Sequence, residues 1–296
     1  MFDKPTNEWI RRTGATVFRA GGAVFVVAAK YRDPEFLDLL RTFDAVLERS
    51  IILKDSPTTT AGLAAFSPDG QPVFLKRTNN KGLRFTLRYL FRPARSFRSA
   101  RAASDLEELG LTTPVVLAAG ERRTGPVLRA GYLVTASSDR VRGMEKIAVA
   151  VENPPEMLDS FFVYAASAMA KMHGAGIIHG DLKISNFYCD GTWSPNEARY
   201  GIWDLDSIRR YPAGVPRRLV EKELGRLIAS CLMTLDGDPR TPDSFFSPRH
   251  LAERLTGLYA RNPGIPLQPD AGSVADFARE RWNRMPDRRR KEFDAV

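Results

Sequence analysis

The sequence predicts an α+β fold in two lobes, a β-rich N-lobe and an α-rich C-lobe with a cleft between them. Three observations favour this class. Strand-like segments dominate the first half of the chain, and helical periodicity dominates the second half. The length of 296 residues is enough for two lobes. The 43% hydrophobic and 27% charged residues are ordinary globular values, which excludes a largely disordered or fibrous chain.

Turn residues and apolar segments mark the elements of the N-terminal half. Residues 16–29 are predicted to form a hairpin around the Gly21-Gly22 pair. Residues 33–49 have the apolar spacing of one amphipathic helix, which Asp33 would cap. Three further strands are expected at residues 50–54, 62–66 and 72–77, joined by a polar loop at 55–60 and a turn at 67–70.

Helical segments become dominant after this point. The basic segment 81–109 is predicted to be mostly helical with a break at Pro93, and strands follow at 115–119 and 130–135. Further helices are expected at residues 157–172, at 219–235 and from 248 onwards. These elements predict an accessory hairpin and helix at residues 1–49, an N-lobe at 50–136 and a C-lobe with a basic tail at 137–296.

The charge of the chain is positive and unevenly spread. The formal net charge is +9 and the isoelectric point about 9.7. Residues 76–101 hold nine Lys and Arg side chains and no acid, and a second basic segment covers residues 279–291. Such a balance favours an anionic partner, either nucleic acid, a membrane surface or an acidic or phosphorylated substrate. Because no known nucleic-acid module is present, nucleic acid is the least favoured.

Cysteine usage and hydropathy predict a cytoplasmic location. Cys189 and Cys231 are the only cysteines and have no metal-ligand spacing, so neither a disulfide framework nor a cysteine-based zinc site is expected. No apolar run approaches the roughly 18 residues that a membrane span needs.

The most informative segment is residues 177–187. Asp181 follows His179 by two residues and precedes Asn186 by five, and an apolar strand further along ends at Asp204. Far upstream, a predicted strand carries Lys76. Turn formation alone would explain an isolated Asp or Asn, but it does not explain this order of residues.

These residue types suit phosphoryl transfer, which depends on positioning and on neutralising charge. A carboxylate must accept the proton of the acceptor hydroxyl. Magnesium prefers oxygen ligands such as an amide and a second carboxylate. A lysine must hold the nucleotide phosphates. Asp181, Asn186, Asp204 and Lys76 supply one group of each kind, in the chain order of the kinase fold.

Four segments resemble the lipopolysaccharide kinases of the Kdo/WaaP family, which are bacterial members of the protein-kinase-like fold. The segments are KDSPTTT at 54–60, FLKRTNNKGL at 74–83, LGLTTPVVLA at 109–118 and HGDLKISN at 179–186. The resemblance extends from about residue 50 to about residue 235. It implies an ATP- and Mg²⁺-dependent kinase that phosphorylates a Kdo or heptose hydroxyl of the lipopolysaccharide inner core.

The resemblance also implies roles for individual residues. Asp181 would be the catalytic base, and Lys183 would contact the γ-phosphate. Asn186 and Asp204 would hold magnesium, and Lys76 would hold the α- and β-phosphates. His179 would orient the catalytic loop as a scaffold residue. The nucleotide would also be held by hydroxyl groups of the phosphate-covering loop at residues 55–60, namely those of Ser56, Thr58 and Thr59.

Two positions depart from the family pattern. The loop at residues 55–60 contains no glycine, so backbone cradling of phosphate is weakly supported there. Ser99 stands where the family often has the glutamate that pairs with the strand lysine. Asp105 is the nearest acid, and it lies roughly 9 Å further along the same helix. The partner of Lys76 is therefore left open.

The resulting hypothesis is a kinase at the cytoplasmic face of the inner membrane. The glycolipid acceptor is anionic, so the basic segments would dock the enzyme peripherally on the anionic inner membrane. Two alternatives remain: a kinase for another small-molecule or protein hydroxyl, and a nucleotide-binding pseudokinase that acts as a scaffold. His173 is expected only to pack at the end of its helix.

Overall fold

The computed structural model of the chain describes residues 3–66, 72–80, 82–90, 92–138, 140–194, 197–235, 238–240, 247–263 and 267–284. The turn predicted at 67–70, Lys81 and the basic tail from residue 285 onwards lie outside these residues. The chain divides into two compact units. The N-terminal unit is Met1–Glu108 with Thr113–Asp139, and the C-terminal unit is Leu109–Thr112 with Arg140–Val296.

A seven-stranded sheet forms the frame of the N-terminal unit, and every neighbouring pair of strands is antiparallel. Its strands follow the order β1-β2-β6-β7-β5-β4-β3. The strands are β1 Thr16–Ala20, β2 Ala23–Val27, β3 Ile51–Ser56, β4 Thr59–Ala65, β5 Pro72–Asn79, β6 Val116–Thr124 and β7 Val127–Ala136.

The predicted hairpin at the start of the sheet is confirmed. Gly21 and Gly22 both have positive φ angles, which the tight turn between β1 and β2 requires. The polar loop predicted at residues 55–60 is wrong, because β3 continues to Ser56 and β4 already begins at Thr59. Only a two-residue turn separates these strands, so most of the expected loop belongs to a β-hairpin.

Two short helices cover one face of the sheet. They are α2 Pro34–Arg41 and α3 Phe43–Arg49, so the single helix predicted over residues 33–49 is wrong. Thr42 interrupts it, with a φ of −107° and a hydroxyl that donates to the carbonyl of Asp38. Asp33 caps α2 as predicted, since its carboxylate accepts from the Phe36 N–H at 2.8 Å. The apolar side chains of both helices pack with the sheet in one core.

The opposite face of the sheet carries α1 Lys4–Thr13, α4 Leu83–Tyr89 and α5 Arg95–Glu108. Trp9 of α1 is buried in the same cluster as Phe97 of α5. Arg12 extends from α1 to two acids of α5, at 3.2 Å from Asp105 and 2.9 Å from Glu108. The first helix of the chain is therefore fastened to α5 by an apolar contact and by ion pairs.

Helices dominate the C-terminal unit. Its helices are α6 Met144–Ala150, α7 Pro154–Gly174, α8 Arg217–Leu235, α9 Pro248–Ala260 and α10 Ala271–Asn283. Its strands are β8 Val141–Gly143, β9 Ile177–Ile178, β10 Phe187–Asp190, β11 Arg199–Ile202 and β12 Arg209–Arg210, which pair as β11-β10-β8 and β12-β9. Helices α7, α8, α9 and α10 pack against one another and form the core of the unit.

The contact of α1 with α5 predicts a measurable stability effect. Trp9→Ala removes a large buried side chain, so we expect the free energy of unfolding to fall by about 3–5 kcal/mol. The matched control Glu8→Ala changes an exposed residue of the same helix and should cost less than about 0.5 kcal/mol. Urea unfolding followed by circular dichroism compares them, and equal midpoints for the two variants would contradict this packing.

Candidate active site

The predicted catalytic loop lies between β9 and β10 of the C-terminal unit. The Lys183 amine is 3.7 Å from the Asp181 carboxylate. The Asn186 side chain donates from Nδ2 to the Asp181 carbonyl at 2.7 Å. This hydrogen bond fixes the Asn186 amide and leaves its Oδ1 as an acceptor. The structure therefore brings together three residues that the sequence predicted for the site. One short loop holds the carboxylate of Asp181, the amine of Lys183 and the amide of Asn186.

Asp204 is connected to this loop through the strand that precedes it. The N–H of Trp203 donates to the Asn186 carbonyl at 3.0 Å, which continues the pairing of β10 with β11. Asp204 has a φ of 56° and is the only non-glycine residue with positive φ among the described residues. Such a conformation costs energy and is concentrated at functional sites. The backbone thus places Asp204 next to Asn186.

The oxygen donors of this site fit a magnesium ion that is bound largely by its substrate. Asn186 and Asp204 offer one amide oxygen and one carboxylate. Within the described ranges, no group of three or more His, Cys, Asp and Glu side chains could form a complete metal cage. Mg²⁺ is commonly held by one or two protein oxygens together with substrate phosphates and water. Asn186 and Asp204 therefore suit the magnesium ion that the family resemblance implies.

His179 is fully buried and connects the loop to the strand of Asp204. Its Nε2 lies 3.2 Å from the Trp203 carbonyl. A carbonyl only accepts, so this nitrogen carries the proton. The scaffold role predicted for His179 agrees with this position.

Glu223 of α8 binds the backbone of the loop, and the sequence analysis did not predict this role. Its side chain is 1% exposed. It accepts the N–H groups of His179 at 3.3 Å and Gly180 at 2.6 Å. The signal available in the sequence was an acid on the apolar face of a helix, because a buried acid needs partners.

His173 joins the same network and is more than the packing residue that the sequence predicted. Its Nε2 is 3.1 Å from the Glu223 carboxylate, and its Nδ1 is 3.0 Å from the hydroxyl of Tyr259. Burial acts to raise the pKa of Glu223, but the hydrogen bond and charge of His173 and the nearby loop outweigh it, so that pKa is lowered. Glu223 therefore acts as a buried anion that accepts hydrogen bonds.

Arg226, one turn further along α8, binds the carbonyl group of Gly180. Its Nη1 donates to the Gly180 carbonyl at 2.5 Å. Both peptide groups of Gly180 are thereby held, by Glu223 at its N–H and by Arg226 at its carbonyl. Gly180 has a φ of 84°, and a Cβ at this position would lie 2.6 Å from the Ser207 carbonyl oxygen. Glycine is therefore required immediately before Asp181.

Glu145 of α6 is a further acid that the sequence analysis did not select. Burial raises its pKa, while the charges of Lys146 and Lys183 act in the opposite direction. Its Oε2 is buried and has no hydrogen-bond partner among the described residues. The C-terminal unit therefore adds one more carboxyl group, close enough to Lys183 for the charge of the lysine to act on it.

The predicted phosphate lysine lies in the N-terminal unit. Lys76 is half-buried on β5 and pairs with Ala61 of β4 and Leu133 of β7. Residues paired across neighbouring strands point to the same face of a sheet. Leu133 packs with the cluster that contains α1, α4 and α5. Lys76 is therefore on the face of the sheet that carries α5.

The three hydroxyl residues predicted to hold nucleotide surround the turn between β3 and β4. Ser56 Oγ donates to the Thr59 carbonyl at 3.0 Å and accepts from the Thr59 N–H at 3.1 Å. It also lies 3.3 Å from the Thr58 hydroxyl. The Ser56 side chain thus closes the turn where the sequence has no glycine.

Two acids of α5 are bound to the first helix of the chain. Asp105 and Glu108 both form ion pairs with Arg12 of α1. Ser99 is buried, and its hydroxyl donates to the Arg95 carbonyl one turn earlier at 3.1 Å. The serine at this position is therefore accommodated within α5.

The fold and the catalytic loop together define a protein-kinase-like phosphotransferase. Residues 57–253 match the model of the lipopolysaccharide kinase (Kdo/WaaP) family. This match covers well over half of the chain, so the chain belongs to that family, which is a family of kinases. A search of curated proteins finds no significant match.

Two solved structures are similar to the chain. WaaP in complex with acyl carrier protein has a TM-score of 0.60 and 21% identity, and the match covers 86% of this chain and 97% of that one. It supports the kinase-like fold. The BubR1 kinase domain has a TM-score of 0.46 and 12% identity, with 94% of this chain and 86% of that one covered.

The contact of Arg226 with Gly180 predicts a loss of turnover without a loss of nucleotide affinity. Arg226→Met removes the charged donor, so we expect kcat to fall on the order of tenfold to a hundredfold, as for a hydrogen bond to a charged group. Arg226→Lys keeps a cationic donor and should recover part of this loss. The KM for ATP should change less than about twofold in both. Arg261→Met, an exposed residue of the same unit, is the control. Unchanged kcat in Arg226→Met would contradict the positioning role.

Proposed function

We propose that the chain transfers the γ-phosphoryl group of ATP, with Mg²⁺, to a Kdo or heptose hydroxyl of the lipopolysaccharide inner core. Membership of the lipopolysaccharide kinase family supports the reaction class. The observation that carries the proposal is the arrangement of Asp181, Lys183 and Asn186 in one loop next to Asp204. This set supplies a base, a cation and two oxygen ligands.

Each site residue of the C-terminal unit has a defined role in the proposed mechanism. Asp181 accepts the proton of the sugar hydroxyl, which makes its oxygen a better nucleophile. Lys183 neutralises charge on the transferred phosphoryl group. Asn186 and Asp204 would hold Mg²⁺, which would supply positive charge to the phosphate groups of the nucleotide. Glu223 keeps the loop in the conformation that the reaction needs.

The N-terminal unit supplies nucleotide contacts in this proposal. Lys76 holds the α- and β-phosphates. The hydroxyl-rich turn that includes Ser56, Thr58 and Thr59 lies at the end of the neighbouring hairpin, where Thr59 pairs with Thr78, two residues beyond Lys76. Hydroxyl and amide hydrogen bonds from this turn replace the backbone cradle that a glycine-rich loop would offer.

The proposed acceptor is an anionic glycolipid, and the proposed location is the cytoplasmic face of the inner membrane. Among the described residues, no helix has the length and apolar character that crossing a membrane requires. The basic segment 76–101 supports peripheral attachment by electrostatic attraction to anionic headgroups. A structurally similar protein, WaaP, has been solved in complex with acyl carrier protein.

Asp181→Asn tests the proposed chemistry. The amide keeps the size of the side chain but cannot accept the proton, so we expect kcat to fall by about 10²–10⁴-fold. ATP affinity should be retained. Transfer of label from ATP in the presence of Mg²⁺ is measured over a panel of lipopolysaccharide-core acceptors. Asp190→Asn, an exposed residue of β10, is the matched control and should keep wild-type activity.

The same panel separates the alternatives. Transfer only to a non-lipopolysaccharide hydroxyl would indicate a kinase for another acceptor. ATP binding without transfer to any acceptor would indicate a scaffold. Full activity in Asp181→Asn would remove this residue from the mechanism.

Neutralising Arg84, Arg88 and Arg92 to glutamine tests the membrane contact. Each basic residue near an anionic surface contributes about 1 kcal/mol, so we expect binding to vesicles that contain anionic lipid to weaken by on the order of a hundredfold. Sedimentation with vesicles at low and high salt measures this. Binding that stays unchanged would discard this segment as the membrane contact.

A further inference from the structure

The segment that follows Asp204 is short, and beyond Asp206 it is basic. Residues 205–216 connect it directly to α8, and all of them are described. Residues 207–220 contain four arginines and neither Asp nor Glu. A solvated loop would normally carry charges of both signs, so this composition indicates a surface that faces an anion.

Several contacts hold this segment against the catalytic loop. Arg209 of β12 pairs with Ile178 of β9, the residue immediately before His179. The N–H of Tyr211 donates to the Gly176 carbonyl at 2.7 Å. The Ser207 carbonyl lies so close to Gly180 that no side chain fits between them. Arg209 is therefore held within a few residues of Asp181.

Helix α8 brings a second row of cations to the same place. Arg218, Lys222 and Arg226 are spaced four residues apart, so they lie along one stripe of the helix. The stripe ends at the Gly180 carbonyl, where Arg226 is bound. Arg218 and Lys222 are exposed, and they extend the positive surface away from the loop.

Three of these cations have no ionic partner among the described residues. In the part of the chain that the structure describes, Arg209, Arg218 and Lys222 form no ion pair. Arg217 differs, because Glu221 binds it at 2.8 Å. Like charges four residues apart on a helix repel one another by a few tenths of a kcal/mol. An anionic ligand would relieve this repulsion.

We propose that Arg209, Arg218 and Lys222, named here the acceptor patch, bind a carboxylate group of the acceptor sugar. The inference rests on the proposed function and identifies the residues that select an anionic acceptor. Its basis is the position of the patch: Arg209 and the stripe of α8 both adjoin the loop that carries the proposed base. An acceptor held there by its anionic group presents its hydroxyl groups to Asp181.

The alternative ligand is an anionic membrane surface, and the position of the patch favours the acceptor. The patch includes a strand directly paired to the residue before the catalytic loop, and α8 contacts this loop through Glu223 and Arg226. The acceptor must reach this loop to react, whereas a headgroup can be bound anywhere on the surface.

The test uses the full chain and two soluble, deacylated core oligosaccharides. One retains its Kdo carboxylates, and in the other the carboxylates are reduced to alcohols. The patch variant is R209Q/R218Q/K222Q. The control R249Q/R261Q/R284Q removes the same charge from exposed positions elsewhere in the C-terminal unit. Fluorescence anisotropy gives the Kd of each labelled oligosaccharide, and phosphoryl transfer gives kcat and KM.

We expect the patch variant to bind the carboxylated oligosaccharide on the order of tenfold more weakly, with kcat and the KM for ATP within about twofold of wild type. The reduced oligosaccharide should bind the wild type and the variant equally. Added salt should weaken acceptor binding to the wild type more than to the variant.

Each other outcome has one meaning. Equal Kd values for the carboxylated oligosaccharide in wild type and patch variant overturn the acceptor patch, and continued transfer then leaves the proposed function intact. Sedimentation of the same variant with vesicles that contain anionic lipid tests the membrane; a loss of vesicle binding with unchanged oligosaccharide binding reassigns the patch to the membrane and overturns the proposal. Patch-dependent binding without any transfer supports the patch and refutes the proposed function. A wild type that binds neither oligosaccharide refutes both.

Discussion

The proposed active site depends on the hydrogen bonds that the buried carboxylate of Glu223 accepts. A charge removed from water must be compensated by hydrogen bonds, and here the partners are the backbone of His179 and Gly180 and the ring of His173. Two of these partners, His179 and Gly180, immediately precede Asp181. The hydrogen bonds that stabilise the buried charge of Glu223 therefore also fix the backbone next to Asp181.

The N-terminal unit is stabilised by helices that pack on both faces of its sheet. Its sheet is covered on both faces, by α2 and α3 on one side and by α1, α4 and α5 on the other. Arg12 and Trp9 join the first helix to α5, so the segment that the sequence suggested as an accessory is part of the packing around the face that carries Lys76. The first helix thereby stabilises α5, which lies on the same face of the sheet as Lys76.

Local patterns predicted the fold class, the first hairpin and the spacing of the catalytic loop, because each depends on residues close together in the chain. The break at Thr42 and the tight turn after Ser56 were missed, since side-chain hydrogen bonds to nearby backbone decide them. The roles of Glu223 and Arg226 were missed for another reason. Both act on a loop more than forty residues earlier, and no local periodicity encodes that pairing.

The twelve residues between Asp204 and α8 have a consequence for control of the enzyme. Kinases that are switched on by phosphorylation use a long stretch that changes from disorder to order. Here the backbone hydrogen bonds of the β12–β9 pair and of Tyr211 with Gly176 hold the stretch. A transition of that kind would first have to break these contacts with the residues that precede Asp181.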